Sequence, residues 1–144
     1  MTEILTEAWR AEPSPAPTDA DRAAVTAAVF DYFEGWFDAD PERMRRALHP
    51  ELAKRAFAQD RERTPALDTT TAQEMVDATA AGAGRARAGD RIIDVRIEDI
   101  SAGIASVSAR SEHYVEYVHL VATHDGWKIV NSLWRFADGH GPRG

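Results

Sequence analysis

The stretch EHYVEYVHLVATHDGWKIVNSLWRF, residues 112–136, reads as two β-strands joined by a tight turn. Both halves are rich in aromatic and β-branched residues, which favour strands. Between them lies His124-Asp125-Gly126, and an Asp-Gly pair flanked by apolar runs is a strong hairpin signal. The stretch therefore predicts strands over 112–122 and 127–136, with an antiparallel sheet built outward from them.

Alternation along these two strands divides their side chains between the two faces of the sheet. One face is predicted to carry Tyr114, Glu116, Val118, Leu120, Ala122, Trp127, Ile129, Asn131, Leu133 and Arg135. The other is predicted to carry His113, Val115, Tyr117, His119, Val121, Lys128, Val130, Ser132, Trp134 and Phe136. Both faces mix apolar with polar residues, whereas a sheet covered on one side only shows clean alternation. We therefore expect helices on one face and a second copy of the chain on the other, contacting Tyr117, His119 and Trp134.

The residues before this hairpin predict two further strands. Apolar residues alternate with charged ones at Ile93, Val95 and Ile97, and small apolar residues alternate at 105, 107 and 109. Ser101-Ala102-Gly103 separates the two runs and is typical of a turn. The second half of the chain is therefore predicted to be an antiparallel meander.

The first half of the chain has helical periodicity instead. A buried helical stripe is predicted at Val25, Ala28, Val29, Tyr32, Phe33, Trp36 and Phe37. Thr18 is placed to cap this helix, and Asp40-Pro41 ends it and starts a second, short one. Thr71 and Glu74 have capping-box spacing, which predicts a third helix over about 72–80. Residues 51–68 are compatible with a short strand or a helical turn followed by a loop.

Helices followed by a meander indicate an α+β fold, with about three N-terminal helices packed on a curved antiparallel sheet. We expect the domain to span residues 18–137. Residues 1–17 contain the proline-rich AEPSPAP and are expected to form a flexible leader, with a flexible tail over 138–144. The glycine-rich run AGAGRARAG, residues 81–89, lacks phosphate-loop spacing and is expected to be a flexible connector.

Composition excludes several classes of function. The 144 residues carry a net charge of −7, which disfavours nucleic-acid binding. Cysteine is absent, so disulfides, thiolate metal sites and a cysteine nucleophile are excluded. No apolar run approaches the ~20 residues of a membrane span, and the N-terminus lacks a signal-peptide pattern. We therefore expect a cytoplasmic protein that binds neither nucleic acid nor membrane.

Neither a metal nor an organic cofactor is expected. His113 and His119 share a predicted face but lie about 20 Å apart along a strand, whereas Zn–N bonds are near ~2.1 Å. The chain has no HExxH motif, and it lacks the glycine fingerprint of nicotinamide- or flavin-binding proteins.

The order of elements resembles the nuclear transport factor 2-like superfamily of cone-shaped α+β folds. The segments YFEGWFDADPERMRRALHPELAKRAF, TTTAQEMVDAT, IIDVRIEDISAGIASVSA and YVEYVHLVATHDGWKIVNSLWRF resemble its branch described as "Putative lumazine-binding". The resemblance covers about residues 20–136. It implies a cystatin-like α+β cone, closed by the first helix over a bent sheet, with a buried cavity and dimers through the sheet. Ketosteroid isomerases and polyketide cyclases share this fold with pure binding modules, so the fold leaves the function open.

The leading hypothesis is a dimeric small-molecule-binding protein. Its pocket would lie between the first helix and the sheet and would hold an aromatic or heterocyclic ligand. The predicted ligand-binding residues are Tyr32, Trp36, His49, Tyr114, Glu116 and Asn131. Core packing of Tyr32 and Trp36, and a Glu116–Arg135 ion pair at the sheet rim, are the structural alternatives.

Two other hypotheses stay open. One is a cofactor-independent lyase, isomerase or cyclase. Glu116 would be its general base because burial raises the pKa of a carboxyl group, His49 is the second candidate, and Tyr114 or Tyr32 would donate to the oxyanion. The other is a dimerisation scaffold whose cavity is filled by side chains.

Overall fold

The computed structural model describes residues 16–59, 62–85 and 91–141, in which three helices pack against one six-stranded sheet. The elements are α1 (Asp19–Asp38), α2 (Pro41–Ala47), β1 (Leu48–Gln59), β2 (Pro65–Thr70), α3 (Ala72–Ala80), β3 (Asp94–Ser101), β4 (Ile104–Arg110), β5 (Tyr114–Thr123) and β6 (Gly126–Phe136). The predicted α+β class and the predicted meander are confirmed.

The helices begin where the sequence predicts, because their first backbone N–H groups find side-chain acceptors. Thr18 and Asp21 form a reciprocal capping box at α1, and Thr71 and Glu74 form another at α3. Asp40 caps α2 by accepting a hydrogen bond of 3.1 Å from the backbone N–H of Arg43. These contacts, each between residues close in the chain, determine where the three described helices begin.

The sheet has the strand order β2-β1-β6-β5-β4-β3. All neighbouring strands are antiparallel except β1 and β6, which are parallel. The β1–β2 hairpin resolves the ambiguity over residues 51–68. Strand β2 is exposed along almost its whole length, so its side chains show none of the alternation that predicts a strand.

A β-bulge at Val130 changes which side chains of β6 face the helices. His119 pairs with Asn131, but the next residue, Leu120, pairs with Ile129, so Val130 is an extra residue on β6. Every side chain of β6 after the bulge therefore lies on the face opposite to the predicted one. We call the face covered by the helices the inner face and the opposite one the outer face.

Six predicted face assignments on β6 are consequently wrong, because each of these side chains lies on the face opposite to the predicted one. Asn131, Leu133 and Arg135 are exposed on the outer face, whereas Ser132, Trp134 and Phe136 point inward. Strand β5 keeps its predicted alternation, with Tyr114, Glu116, Val118 and Leu120 buried. Because Arg135 lies on the outer face and forms an ion pair with Asp138 at 3.1 Å, it does not pair with Glu116.

The core lies between α1 and the inner face. Helix α1 buries most of the predicted stripe, with Trp36 only partly buried. The side chains that fill the core are mainly aliphatic, with a few aromatic rings: Val25, Val29, Phe33, Phe37, Met44, Val107, Val118, Leu120 and Ile129. Burial of this apolar area is the main force that holds helices and sheet together.

Some predictions fall outside the described residues. These are residues 1–15 of the expected leader, residues 86–89 of the glycine-rich connector and residues 142–144 of the tail. Within the described parts of the chain, no helix combines the length and the hydropathy that a membrane span requires.

Candidate functional site

Four polar side chains meet in the core between α1 and the sheet. Lys54 and Glu116 are 6% and 2% exposed, and Lys54 Nζ lies 3.7 Å from Glu116 Oε2. The Ser132 hydroxyl donates a hydrogen bond of 2.8 Å to the same carboxylate oxygen. Lys54 Nζ also donates a hydrogen bond to the Tyr32 hydroxyl. We call these four residues the polar cluster.

Three strands and one helix bring the polar cluster together. Lys54 on β1 and Ser132 on β6 are paired in the parallel register. Ser132 in turn pairs with Val118 on β5, two residues from Glu116 and on the same face of that strand. The buried side of α1 places Tyr32 over them. Chain segments that are distant in sequence therefore converge at the middle of the inner face.

Aromatic rings surround the ammonium group. Lys54 Nζ lies 4.8 Å from the centroid of the Tyr32 ring and 5.1 Å from that of Trp134, within the range of cation–π attraction. Trp134 makes an edge-to-face contact with Tyr114 at 5.6 Å. The Tyr114 hydroxyl accepts a hydrogen bond of 3.1 Å from Trp36 Nε1. Tyr114 and Trp36 thus form an aromatic wall, which adjoins the polar cluster near the C-terminal end of α1.

Burial changes the proton affinities of two groups in this site. It lowers the pKa of Lys54, and the neighbouring Glu116 carboxylate offsets only part of that effect. Burial also raises the pKa of Tyr32 well above its usual range, and the charge of Glu116 raises it further. The site therefore favours a phenol that keeps its proton and an amine that releases one more easily than a surface lysine does.

The structure brings four of the six predicted ligand-binding residues together. Tyr32 and Glu116 belong to the polar cluster, and Trp36 and Tyr114 form the adjoining aromatic wall. His49 lies at the start of β1, where its Nδ1 accepts a hydrogen bond of 3.0 Å from the backbone N–H of Glu51. This hydrogen bond is made within the strand and does not involve the polar cluster.

Asn131 is the sixth predicted residue, and its expected position beside Glu116 is wrong. Its amide Nδ2 lies 3.4 Å from His119 Nδ1 on the outer face, and both side chains are exposed. They line a groove of about 380 Å³ together with Ile104, Ser106 and Val121. The bulge at Val130 is the cause, because it reverses the side-chain direction of all later residues on β6.

The sequence analysis missed three members of the site: Lys54, Ser132 and Trp134. Trp134 was expected at a dimer interface, but it is partly buried on the inner face. One signal for Lys54 was present. Of the 17 basic residues only Lys54 and Lys128 are lysines, and Lys54 stands in alternation with Leu52, which is buried. No comparable signal marks Ser132, because the bulge that turns it inward has no sequence signature here.

The residues that the structure describes do not assemble a metal site. Among them, no three His, Asp or Glu side chains are grouped closely enough to share an ion. The donor set of the polar cluster points the same way, since it contains one carboxylate beside an ammonium group. Such a set suits an organic ligand with its own hydrogen-bonding groups.

Solved structures of similar shape show which fold the chain has. A protein of unknown function with a cystatin-like fold from Nostoc punctiforme has a TM-score of 0.67 at 10% identity, covering 88% of this chain and 98% of its own. An NTF-2-like protein of unknown function from Silicibacter pomeroyi has a TM-score of 0.65 at 15% identity, covering 84% and 100%. A ketosteroid isomerase-like protein from Erwinia carotovora atroseptica has a TM-score of 0.52 at 14% identity, covering 84% and 99%. The chain therefore has the nuclear transport factor 2-like, cystatin-like α+β fold.

The family follows from the sequence. The profile of the family described as "Putative lumazine-binding" matches residues 20–135, which is nearly the whole described domain. The chain belongs to this family. No curated protein matches it.

Proposed function

We propose that this protein binds a small organic molecule between α1 and the inner face of the sheet. Its polar contacts are Glu116, Lys54, Tyr32 and Ser132, and its aromatic contacts are Trp134 and the adjoining wall. A flat aromatic or heterocyclic ligand would stack on the rings while the carboxylate and hydroxyl groups make directed hydrogen bonds. The name of the family, which refers to the heterocycle lumazine, supports this class of ligand.

The observation that carries the proposal is the buried Lys54–Glu116 pair, whose members are the two charged side chains buried in the described part of the chain. Removing two charges from water costs several kcal/mol per ion, and replacing such a pair by apolar residues is often neutral or stabilising. Packing alone therefore gives no reason to keep the pair. Titratable groups whose environment shifts their pKa values, gathered beside aromatic rings, are typical of binding and catalytic sites.

Native mass spectrometry of the protein purified from its own source tests the proposal. We expect a retained small molecule that is released on denaturation, is lost from Glu116→Gln and is kept by Asn131→Ala, whose side chain lies on the outer face. Circular dichroism of both variants controls for folding. A wild-type protein that carries no ligand and binds no aromatic or heterocyclic compound in a ligand screen would contradict the proposal. The dimerisation scaffold would then be the better hypothesis.

A second candidate function is acid–base catalysis at the same site. The raised pKa of Tyr32 favours it, because a phenol that stays protonated can donate a hydrogen bond to a developing oxyanion. Glu116 would then move the proton, as a cofactor-independent lyase, isomerase or cyclase requires. Turnover of a released ligand, lost in Tyr32→Phe with the ligand still bound, would support this candidate; an unchanged rate in that variant would contradict it.

We also propose that the outer face pairs with a second copy of the chain. Tyr117 and Leu133 are paired across β5 and β6 and are 50% and 48% exposed, and Phe57 and Leu67 form a similar exposed pair across β1 and β2. Contiguous apolar groups on a sheet face favour association. Trp134 is not part of this proposal, since it points inward.

A cytoplasmic location is proposed on the absence of cysteine and is testable by cell fractionation.

A further inference from the structure

Lys54 is chemically distinct from the other basic residues of this chain. Fifteen of the 17 are arginines, and the second lysine, Lys128, is partly exposed and donates a hydrogen bond of 2.7 Å to the backbone oxygen of Arg46. An arginine would also balance the charge of Glu116, but its guanidinium group stays protonated in proteins. A lysine is the basic side chain that can lose its proton and act as a nucleophile.

The surroundings of Lys54 Nζ supply what amine chemistry requires. Burial favours the neutral amine over the ammonium form, and the neutral form carries the lone pair. The Tyr32 hydroxyl and the Glu116 carboxylate both lie at the amine and can exchange protons with it. The same carboxylate and the rings of Tyr32 and Trp134 stabilise a positive charge at this nitrogen.

We propose that Lys54 forms a reversible imine with an aldehyde or ketone group of the bound molecule. This inference rests on the proposed function, since it assigns a substrate class to the same site. The ligand is then an aromatic or heterocyclic compound with a carbonyl group that reaches Nζ, while its ring lies against Trp134. Trp134, whose ring centroid lies 5.1 Å from Lys54 Nζ, is itself partly exposed.

The reaction has two balanced steps. In the first, the nitrogen lone pair of Lys54 attacks the carbonyl carbon, the C=O π electrons move to oxygen, and a proton passes from nitrogen to that oxygen through Tyr32 or Glu116. In the second, the hydroxyl group takes a further proton from the Tyr32 hydroxyl and leaves as water while the nitrogen lone pair forms the C=N bond; the nitrogen then returns its remaining proton to the Tyr32 oxygen, which gives the neutral imine. Amine and carbonyl give imine and water, with no oxidant or reductant.

The chain has only two lysines, so a test that locates the modified amine is direct. The folded wild-type protein is incubated with benzaldehyde and sodium cyanoborohydride, which reduces an imine to a stable benzylamine. Peptide mapping then compares Lys54, Lys128 and the α-amino group. We expect Lys54 to be labelled faster than Lys128, since a lowered pKa raises the fraction of neutral amine at a given pH. Lys54→Arg should remove this label and Lys128→Arg should keep it.

Misfolding of a variant does not confound the comparison of Lys54 with Lys128, because that comparison uses the wild-type protein alone. Labelling of Lys128 with Lys54 unmodified would overturn the proposal, as would labelling of Lys54 only after denaturant is added. Benzyl alcohol, which has the ring but no carbonyl group, separates the two proposals when its binding is followed by saturation-transfer NMR. Binding of benzyl alcohol without a benzaldehyde adduct overturns the imine and leaves the proposed function standing. If the protein neither binds benzyl alcohol nor forms a benzaldehyde adduct, the result counts against both the imine and the proposed small-molecule-binding function.

Discussion

Ser132 donates its hydrogen bond of 2.8 Å to Glu116 because one extra residue, Val130, interrupts the pairing of β5 and β6. Without that bulge, Ser132 would face outward and Asn131 would stand beside Glu116. The bulge also turns Trp134 towards Lys54. A local irregularity of one strand thus determines which polar and aromatic groups meet in the core, as bulges near functional sites often do.

Removing the Ser132 hydroxyl should destabilise the protein. A hydrogen bond to a charged group contributes roughly 1.5–3 kcal/mol, so Ser132→Ala should lower the free energy of unfolding by about 2 kcal/mol. Urea unfolding followed by circular dichroism measures this. Ser106→Ala, on the outer face, is the matched control and should change the free energy by less than about 0.5 kcal/mol. Equal effects of the two substitutions would contradict the role given to Ser132.

The Lys54–Glu116 pair should be strongly coupled. Glu116→Gln leaves a buried cation without its partner, and Lys54→Met leaves a buried anion, so each should cost about 3 kcal/mol. The double variant should be close to the wild type, because neither uncompensated charge remains. A double-mutant cycle by urea unfolding gives the coupling energy. Additive single effects would show that the two groups do not interact.

The stability of the protein should depend on pH through Lys54. Its pKa is lowered in the folded state, so between that value and 10.5 the unfolded chain binds more protons than the folded one. The free energy of unfolding therefore rises with pH in that window and carries the full penalty below it. Relative to Lys54→Met, the wild type should gain stability as the pH rises towards 10.0.

The titration of Tyr32 sets the highest pH at which the stabilities of the wild type and Lys54→Met can be compared. Its pKa is raised in the folded state, so its contribution is present below its ordinary value of 10.0 and is lost as the pH rises further. The comparison with Lys54→Met therefore belongs below that value. A difference between the two proteins that stays constant with pH would contradict a lowered pKa for Lys54.

Gly84 should not tolerate a side chain. A β-carbon added there would lie 2.3 Å from the Trp36 carbonyl oxygen and 2.5 Å from its ring. Overpacking of this kind typically costs 1–3 kcal/mol, so Gly84→Ala should lower the free energy of unfolding by about 2 kcal/mol. Gly141→Ala is the control, because its β-carbon would meet no atom within 4 Å. Thermal unfolding compares the two, and a neutral Gly84→Ala would refute the predicted clash.

A charge on the outer face should separate the proposed dimer. Leu133→Glu places a carboxylate beside Tyr117, where a dimer interface would have to bury it without a partner. We expect sedimentation velocity to show dimers for the wild type and monomers for this variant. Ala24→Glu, on the exposed side of α1, should remain dimeric. A monomeric wild type, or a dimeric Leu133→Glu, would rule out this interface.

The helices, the meander and the fold family can be predicted from the sequence alone. Capping boxes at Thr18 and Thr71, the Asp40-Pro41 stop and the Asp125-Gly126 turn act between residues close in the chain, so their effects are readable without a structure. The alternation of β5 likewise identified Glu116 as a buried carboxylate.

The groups that surround Glu116 depend on contacts between distant parts of the chain. Strand β1 reaches Ser132 through parallel pairing with β6, and parallel neighbours are joined by long connections that leave no local trace in the sequence. The bulge at Val130 reverses side-chain directions because strand alternation has a period of two residues. These two long-range features bring Lys54, Ser132 and Trp134 into the site and place Asn131 on the outer face.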